Sequence, residues 1–158
     1  MMSPPTPDTT VSASPARDQL PAGLSDRLGF LLGRAHLAHR SIVERAFAPL
    51  GLGVKEFGAL SLMVEGGRVS QQRLGERQGV DRTTMVAVVD ELERKGLVRR
   101  RRDLHDRRAY SLNATAKGHR VLHRASEAAK RAEDEFLAPI PARDRRRLKE
   151  LLRRLISP

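Results

Sequence analysis

The sequence predicts a mainly α fold with one small β-hairpin, an α+β chain in which six helical segments hold most of the large apolar residues. Three observations predict it. Apolar residues recur at helical spacing along most of the chain. Glycines and prolines fall between the periodic runs rather than inside them. One stretch, residues 97–112, reads instead as two short strands around a polar turn.

Residues 1–23 carry Pro4, Pro5, Pro7, Pro15 and Pro21 among Ser, Thr and Ala, without periodicity, and are expected to be a disordered tail. The domain proper is expected over 24–157. Leu28, Leu31, Leu32, Ala35, Ala38, Ile42, Ala46 and Leu50 then recur at helical spacing, with Ser25 as N-cap and Gly51 as stop. A helix of about 24 residues would be roughly 36 Å long, enough to reach outside a compact core and serve an oligomer contact. A second helix covers about Val54–Val64, with Phe57, Leu60 and Met63 facing inward and Gly66-Gly67 ending it.

Ser70 caps a short helix, Gln71–Gln78, which Gly79 breaks. Asp81 caps the next, Arg82–Lys95, and Gly96 stops it. Strands at Leu97–Arg102 and Arg108–Leu112 flank the turn 103–107. A long helix runs from about Thr115 to Leu137, with Val121, Leu122, Ala125, Ala129, Ala132 and Phe136 on one side, until Pro139 and Pro141 interrupt it. The last helix, about Ala142–Ile156, carries Leu148, Leu151, Leu152, Leu155 and Ile156 as an apolar stripe.

Composition narrows the function. Of 158 residues, 30 are Lys or Arg and 19 Asp or Glu, a formal charge of +11, which points to a polyanionic partner. Arginine outnumbers lysine 25 to 5, a bias that a GC-rich genome also favours, so the position of the arginines matters more than their number. The absence of cysteine excludes disulfides, thiolate metal sites, Cys nucleophiles and thiol-based redox sensing. The N-terminus lacks the basic and apolar regions of a secretory signal, and no apolar run approaches the roughly 20 residues that span a bilayer. A cytoplasmic, nucleoid-associated protein without a membrane partner is the expectation.

Residues 70–95 have helix-turn-helix grammar. Gly75 lacks a side chain and lets a second helix approach. Gly79 can take the positive φ of a tight turn. Val80, Met85, Val88, Val89 and Leu92 can pack inward, leaving Arg82-Thr83-Thr84 pointing outward at an exposed helix N-terminus, where phosphates and base edges are well served. An ordinary helical hairpin would share these features. The next segment of the chain decides between the two. Residues 99–108 hold six Arg against two Asp, and a strand pair ending in a basic loop directly after such a helix is the wing of a winged helix-turn-helix. Asp106 beside Arg107 and Arg108 can brace a guanidinium for a narrow minor groove.

At Asp81–Val98 and at Asp106-Arg107-Arg108-Ala109 the sequence resembles the multiple antibiotic resistance regulator (MarR) family of bacterial transcription factors. Leu50-Gly51-Leu52 and residues 112–118 share the resemblance, which covers about 24–157. It implies a homodimer with long helices at about 24–50 and 115–157 forming the dimer body, and a DNA-binding lobe at about 54–112. It also implies a double-stranded DNA operator and, in many members, release of DNA on binding a small aromatic or anionic effector. The DNA-contacting set is then Ser70, Gln71, Arg82, Thr83, Thr84, Val86, Ala87, Arg107 and Arg108. An effector pocket near His36, His39, Arg40 and Phe57 follows from the same resemblance.

This chain departs from the family pattern where Val86 and Ala87 replace polar residues in the recognition helix. Apolar side chains read thymine methyls, not hydrogen-bonding edges, so base readout is expected to rest on few side chains plus DNA shape. The pairs His36/His39 and His119/His123 have the spacing of metal ligands but no adjacent third ligand, and no metal, cofactor or catalytic centre is expected. The basic terminal stripe also fits a membrane-surface helix, though a dimer-body helix suits it better. The competing function is a non-specific nucleoid-type DNA-binding protein. Single-strand RNA binding is disfavoured by the scarcity of aromatics, four Phe and one Tyr.

Overall fold

The computed structural model describes Gly23 and residues 26–67, 69–102 and 110–156, the side chains of Arg102 and Tyr110 excepted. The tail at 1–22, the cap at Ser25 and the turn and strand start at 103–109 lie outside the described residues. Among these residues the fold is six helices and one antiparallel hairpin, the expected class. The described residues divide into two units, one up to Arg34 and one from Ala35 onward.

Helix α1 (Leu28–Phe47) runs into a 3-10 turn, Ala48–Leu50, which Gly51 closes. Within the first unit its Leu28, Leu31 and Leu32 are exposed rather than buried. In the second unit α1 buries Val43 and Phe47, while Ile42 and Ala46 lie at the core margin. The stripe expected from the sequence thus runs beside the face that is buried deepest. Val43 and Phe47 are themselves i, i+4 neighbours, and two overlapping apolar faces are hard to rank by periodicity alone.

Helices α2 (Val54–Gly66), α3 (Gln71–Gln78) and α4 (Arg82–Arg94) follow. Strands β1 (Val98–Arg102) and β2 (Tyr110–Ala114) pair with Val98 opposite Ala114 and Arg100 opposite Leu112. On the other edge of β2, the Leu112 N–H donates to the Val69 carbonyl at 3.0 Å, tying the hairpin to the segment before α3. Helices α5 (Ala116–Phe136) and α6 (Ala142–Ile156) complete the order. The core of the second unit is Phe47, Leu60, Met63, Leu74, Met85, Val89, Leu92, Val98 and Leu112, all fully buried. Burying each such large side chain stabilises by about 1.5–3 kcal/mol.

No single helix among the described residues is long and apolar enough to cross a membrane. Residues 28–50 and 54–66 reach that length and composition only together, as a bent pair, and Val43, Phe47, Ala59, Leu60 and Met63 in them are buried in the protein.

The start of α5 sets how closely the helices approach the hairpin. Thr115 caps the helix, its Oγ1 accepting from Gly118 N at 3.0 Å and donating to the Gly96 carbonyl at 2.8 Å. The Thr115 N–H donates to the Leu97 carbonyl at 2.9 Å. That carbonyl lies where a side chain on residue 118 would be: a Cβ there would sit 2.2 Å from Leu97 O. Only glycine permits this approach. We therefore expect Gly118→Ala to destabilise by about 2–3 kcal/mol, the upper range for overpacking, read as a lowered urea midpoint at unchanged m-value.

Candidate nucleic-acid interface and adjoining cavity

The helix-turn-helix begins at Ser70, whose Oγ accepts from Arg73 N at 3.3 Å. Helix α3 ends at Gly79, with φ of 61°, the left-handed region that glycine alone adopts freely. Gly75 is buried beside the Val80 carbonyl and the Met85 side chain, so α4 starts hard against α3. Asp81 then caps α4: Oδ1 accepts from Thr84 N at 2.9 Å and Oδ2 from Thr84 Oγ1 at 2.6 Å. These bonds hold the Asp81 carboxyl below the usual carboxylate range, the side-chain bond from Thr84 being the largest cause.

Helix α4 turns Met85, Val88, Val89 and Leu92 into the core. Arg82, Thr83, Val86 and Ala87 are exposed. Thr84 differs from its neighbours. It is half-buried and its hydroxyl proton points to Asp81, so its oxygen can accept from a base amino group but has no proton to donate to a phosphate. A groove of about 810 Å³ runs between α3 and α4 and brings Gln71, Gln72, Glu76, Arg82 and Val86 together. Arg107, Arg108 and Asp106 lie outside the described residues.

The arginine run is divided by strand register. Arg99 and Arg101 are exposed, whereas Arg100 turns back onto α4. Its NH1 bonds Glu93 Oε2 at 2.6 Å and its NH2 bonds Asp90 Oδ1 at 2.5 Å. Arg100 therefore holds hairpin and recognition helix together and is spent as a free cation. The sequence held the signal, two carboxylates three apart on one helix face, but not which strand would cross it.

His36, His39, Arg40 and Phe57 line one cavity of about 900 Å³, with Val88 of α4 and Lys130 of α5. Its apolar floor includes Phe47, tilted against Phe57 with ring centroids 5.0 Å apart. His39 is edge-on to Phe136 at 5.2 Å. Arg40 is bonded to Glu44 at 2.7 Å. Apolar walls with cationic groups around them can hold an aromatic anion.

One wall ends in an ionic network that sequence reasoning missed. Glu56 Oε2 accepts from Gly53 N at 3.0 Å, capping α2, and from Lys95 Nζ at 2.7 Å. Lys95 Nζ also lies 3.2 Å from Glu91, which pairs with Arg94 at 2.5 Å. Burial works against the Lys95 charge, but the bonds from Glu56 and Glu91 hold it above the ordinary lysine range. Arg94, then Lys95, draw the Glu91 carboxyl from its ordinary 4.5 to about 2. A depressed carboxylate stabilises the fold above its unfolded pKa, and that contribution is lost as pH falls through the folded value. Glu91→Gln should therefore lower the urea midpoint at pH 7, and wild type and variant should converge as pH falls from about 4.5 to 2.

Comparison with known proteins agrees with this geometry. A profile of the MarR family matches residues 50–109. The HTH-type transcriptional repressor Rv2887 of Mycobacterium tuberculosis (strain ATCC 25618 / H37Rv) is 31% identical over 137 residues, covering 85% of this chain and 99% of the repressor. The transcriptional repressor CouR, solved bound to a 23-mer DNA duplex, superposes with a TM-score of 0.81 at 31% identity, over 86% of this chain and 96% of CouR. CouR from Rhodococcus jostii RHA1 bound to p-coumaroyl-CoA gives a TM-score of 0.75 at 32% identity, over 87% of this chain and 97% of that one. With its helix-turn-helix, its hairpin and these relatives, the chain belongs to the MarR family of transcriptional regulators, which are non-enzymatic DNA-binding proteins.

Proposed function

We propose that this regulator is a ligand-responsive repressor that binds a pseudo-palindromic operator as a homodimer in the cytoplasm. The observation that carries the reading is the face of α4. Arg82, Thr83, Val86 and Ala87 are exposed together while Met85, Val88, Val89 and Leu92 anchor the helix from behind. A recognition helix needs that division, a rigid back and a displayed front, and CouR is a relative of similar fold bound to DNA. The DNA-binding lobe is assigned to about 54–112 and the dimer body to about 24–50 and 115–157. Support for the dimer comes from large apolar side chains left exposed in the single chain: Leu28, Leu31 and Leu32 in the first unit, Leu151, Leu155 and Ile156 in the second.

Ser70, Gln71, Arg82, Thr83 and Thr84 are assigned to the DNA contact, with Val86 and Ala87 against thymine methyls. Arg107 is assigned to the minor groove and Arg108 to the backbone beside it, Asp106 holding the guanidinium in place. Selection from random duplexes should yield two symmetric half-sites about 10 base pairs apart, with thymine enriched opposite Val86 and Ala87. The selected duplex should outcompete random DNA by ~10³ or more at fixed salt. Arg107→Ala should flatten the salt dependence of binding by about one unit of slope if it neutralises a phosphate, or remove an A/T preference if it reads groove width. Equal affinity for random and selected duplexes would instead describe a nucleoid-type binder.

The effector is proposed to be an aromatic carboxylate or its thioester, held in the cavity by Phe57 and the apolar floor, with His36, His39 and Arg40 facing its charge. The relative CouR binds p-coumaroyl-CoA. Titration calorimetry with benzoates, cinnamates and p-coumaroyl-CoA should give saturable binding that releases the operator, and His39→Ala should weaken it by about tenfold, the loss of one hydrogen bond to a charged group.

A further inference from the structure

We propose that the Glu56–Lys95 ion pair is the link through which the contents of the cavity reach the recognition helix, so that these two are positioning residues for DNA binding. The inference rests on the effector-responsive reading above and adds its route. The first turn of α2 is itself cavity wall: Gly53, Val54, Lys55, Glu56 and Phe57 all line it. Anything that fills the cavity and displaces that turn carries the Glu56 carboxylate with it.

The carboxylates of the cavity differ in where they are tied. Glu44 is held within α1 by Arg40, and Glu133 by Lys149 of α6. Among the described residues, Glu56 alone of the three has its partner at the end of α4, where Lys95 is the C-cap residue. The pair is shielded, with the Lys95 and Glu56 side chains 23% and 13% exposed, so solvent screens it less than a surface pair. Lys95 is also a junction. Its N–H donates to the Glu91 carbonyl at 3.0 Å, and its own carbonyl accepts from Lys117 Nζ of α5 at 2.7 Å. Helices α2, α4 and α5 thus meet on one residue at the end of α4 farthest from Arg82. Separating Glu56 from Lys95 leaves a shielded lysine with Glu91 alone and removes the hold of α2 on that end of α4. That end stays joined to α5 through the Lys95 and Leu97 carbonyls, so that α4 can tilt about this corner and swing its DNA-reading end. Val88 gives α4 a second contact with the cavity, so the two routes must be told apart.

The absence of cysteine provides the test without a natural effector. Ser126 lines the cavity from α5 and is exposed. Ser126→Cys would be the sole thiol, and labelling it with benzyl methanethiosulfonate places an aromatic ring in the cavity. Amide exchange at Lys95, Gly96 and Leu97, where α4 ends, is read beside affinity for the selected duplex. With the pair intact, the label should speed exchange and weaken DNA binding by tenfold or more. In a Lys95→Met background it should change either by less than twofold, and Lys95→Arg should keep the response. If Lys95→Met does not fold, Glu56→Gln, which retains an acceptor for Gly53 N, takes its place. An equal response with and without the pair, as a route through Val88 would give, overturns the proposal, as does no response in either. Should the unlabelled protein bind no duplex selectively, the repressor reading fails, while amide exchange still decides the link.

Discussion

Leu97 is a single buried residue on which the recognition helix, the hairpin and α5 all hang. Its N–H caps the C-terminal end of α4, donating to the Leu92 carbonyl at 2.9 Å, and its carbonyl accepts from Thr115 N at the same distance. Gly118 lies against that carbonyl, closer than any side chain would allow. The angle at which α4 leaves the core, the direction in which β1 departs and the seat of α5 are therefore one constraint. Buried backbone groups must be paired, and here the pairing also orients the element that reads DNA. Lys95 reinforces the corner two residues earlier by joining α4 to α2 through charge and to α5 through its carbonyl.

That corner explains how a formal charge of +11 is used. Several charges on and around α4 are consumed in ion pairs. Arg100 is held by Asp90 and Glu93, Lys95 by Glu56 and Glu91, and Arg94 by Glu91. Arg82 at the start of α4 and Arg99 and Arg101 on β1 stay exposed. Arg100 joins β1 to α4 and Lys95 joins α4 to α2, so the value of these two sets of pairs lies in where they hold α4. The same logic separates Thr84 from Thr83. The Asp81 cap takes the Thr84 hydroxyl proton, and with it part of the hydrogen-bonding capacity that a purely sequential reading assigns to base recognition.

Much of the fold is legible in the sequence because it is written in local signals. Ser70, Asp81 and Thr115 are caps whose partners lie three residues ahead, and all three helices begin where those residue types predict. Gly79 ends α3 for a reason internal to one turn. The inward face of α1 is less legible. Val43 and Phe47 join the core cluster with residues of α2 and α5, and that packing, not the length of the leucine stripe, selects them for burial. Leu28, Leu31 and Leu32 stay exposed in the single chain. Of the candidate cavity, His36, His39, Arg40 and Phe57 could be named in advance from the family resemblance, and Val88 and Lys130 could not.

The sequence by itself determined the order of the helices, the ends of α3 and α6, the presence of the hairpin and the constellation on α4, because caps, glycine stops and amphipathic periods act over three or four residues. Helix α1 ends at Phe47 rather than at the Gly51 stop, and β2 reaches Ala114 rather than Leu112. Only the tertiary structure decided which charges remain free and which are braces. Arg100 acts across seven and ten positions, and Glu56 reaches Lys95 across 39. Contacts at that distance depend on how whole elements pack, and packing is a property of the assembled core that no local pattern encodes.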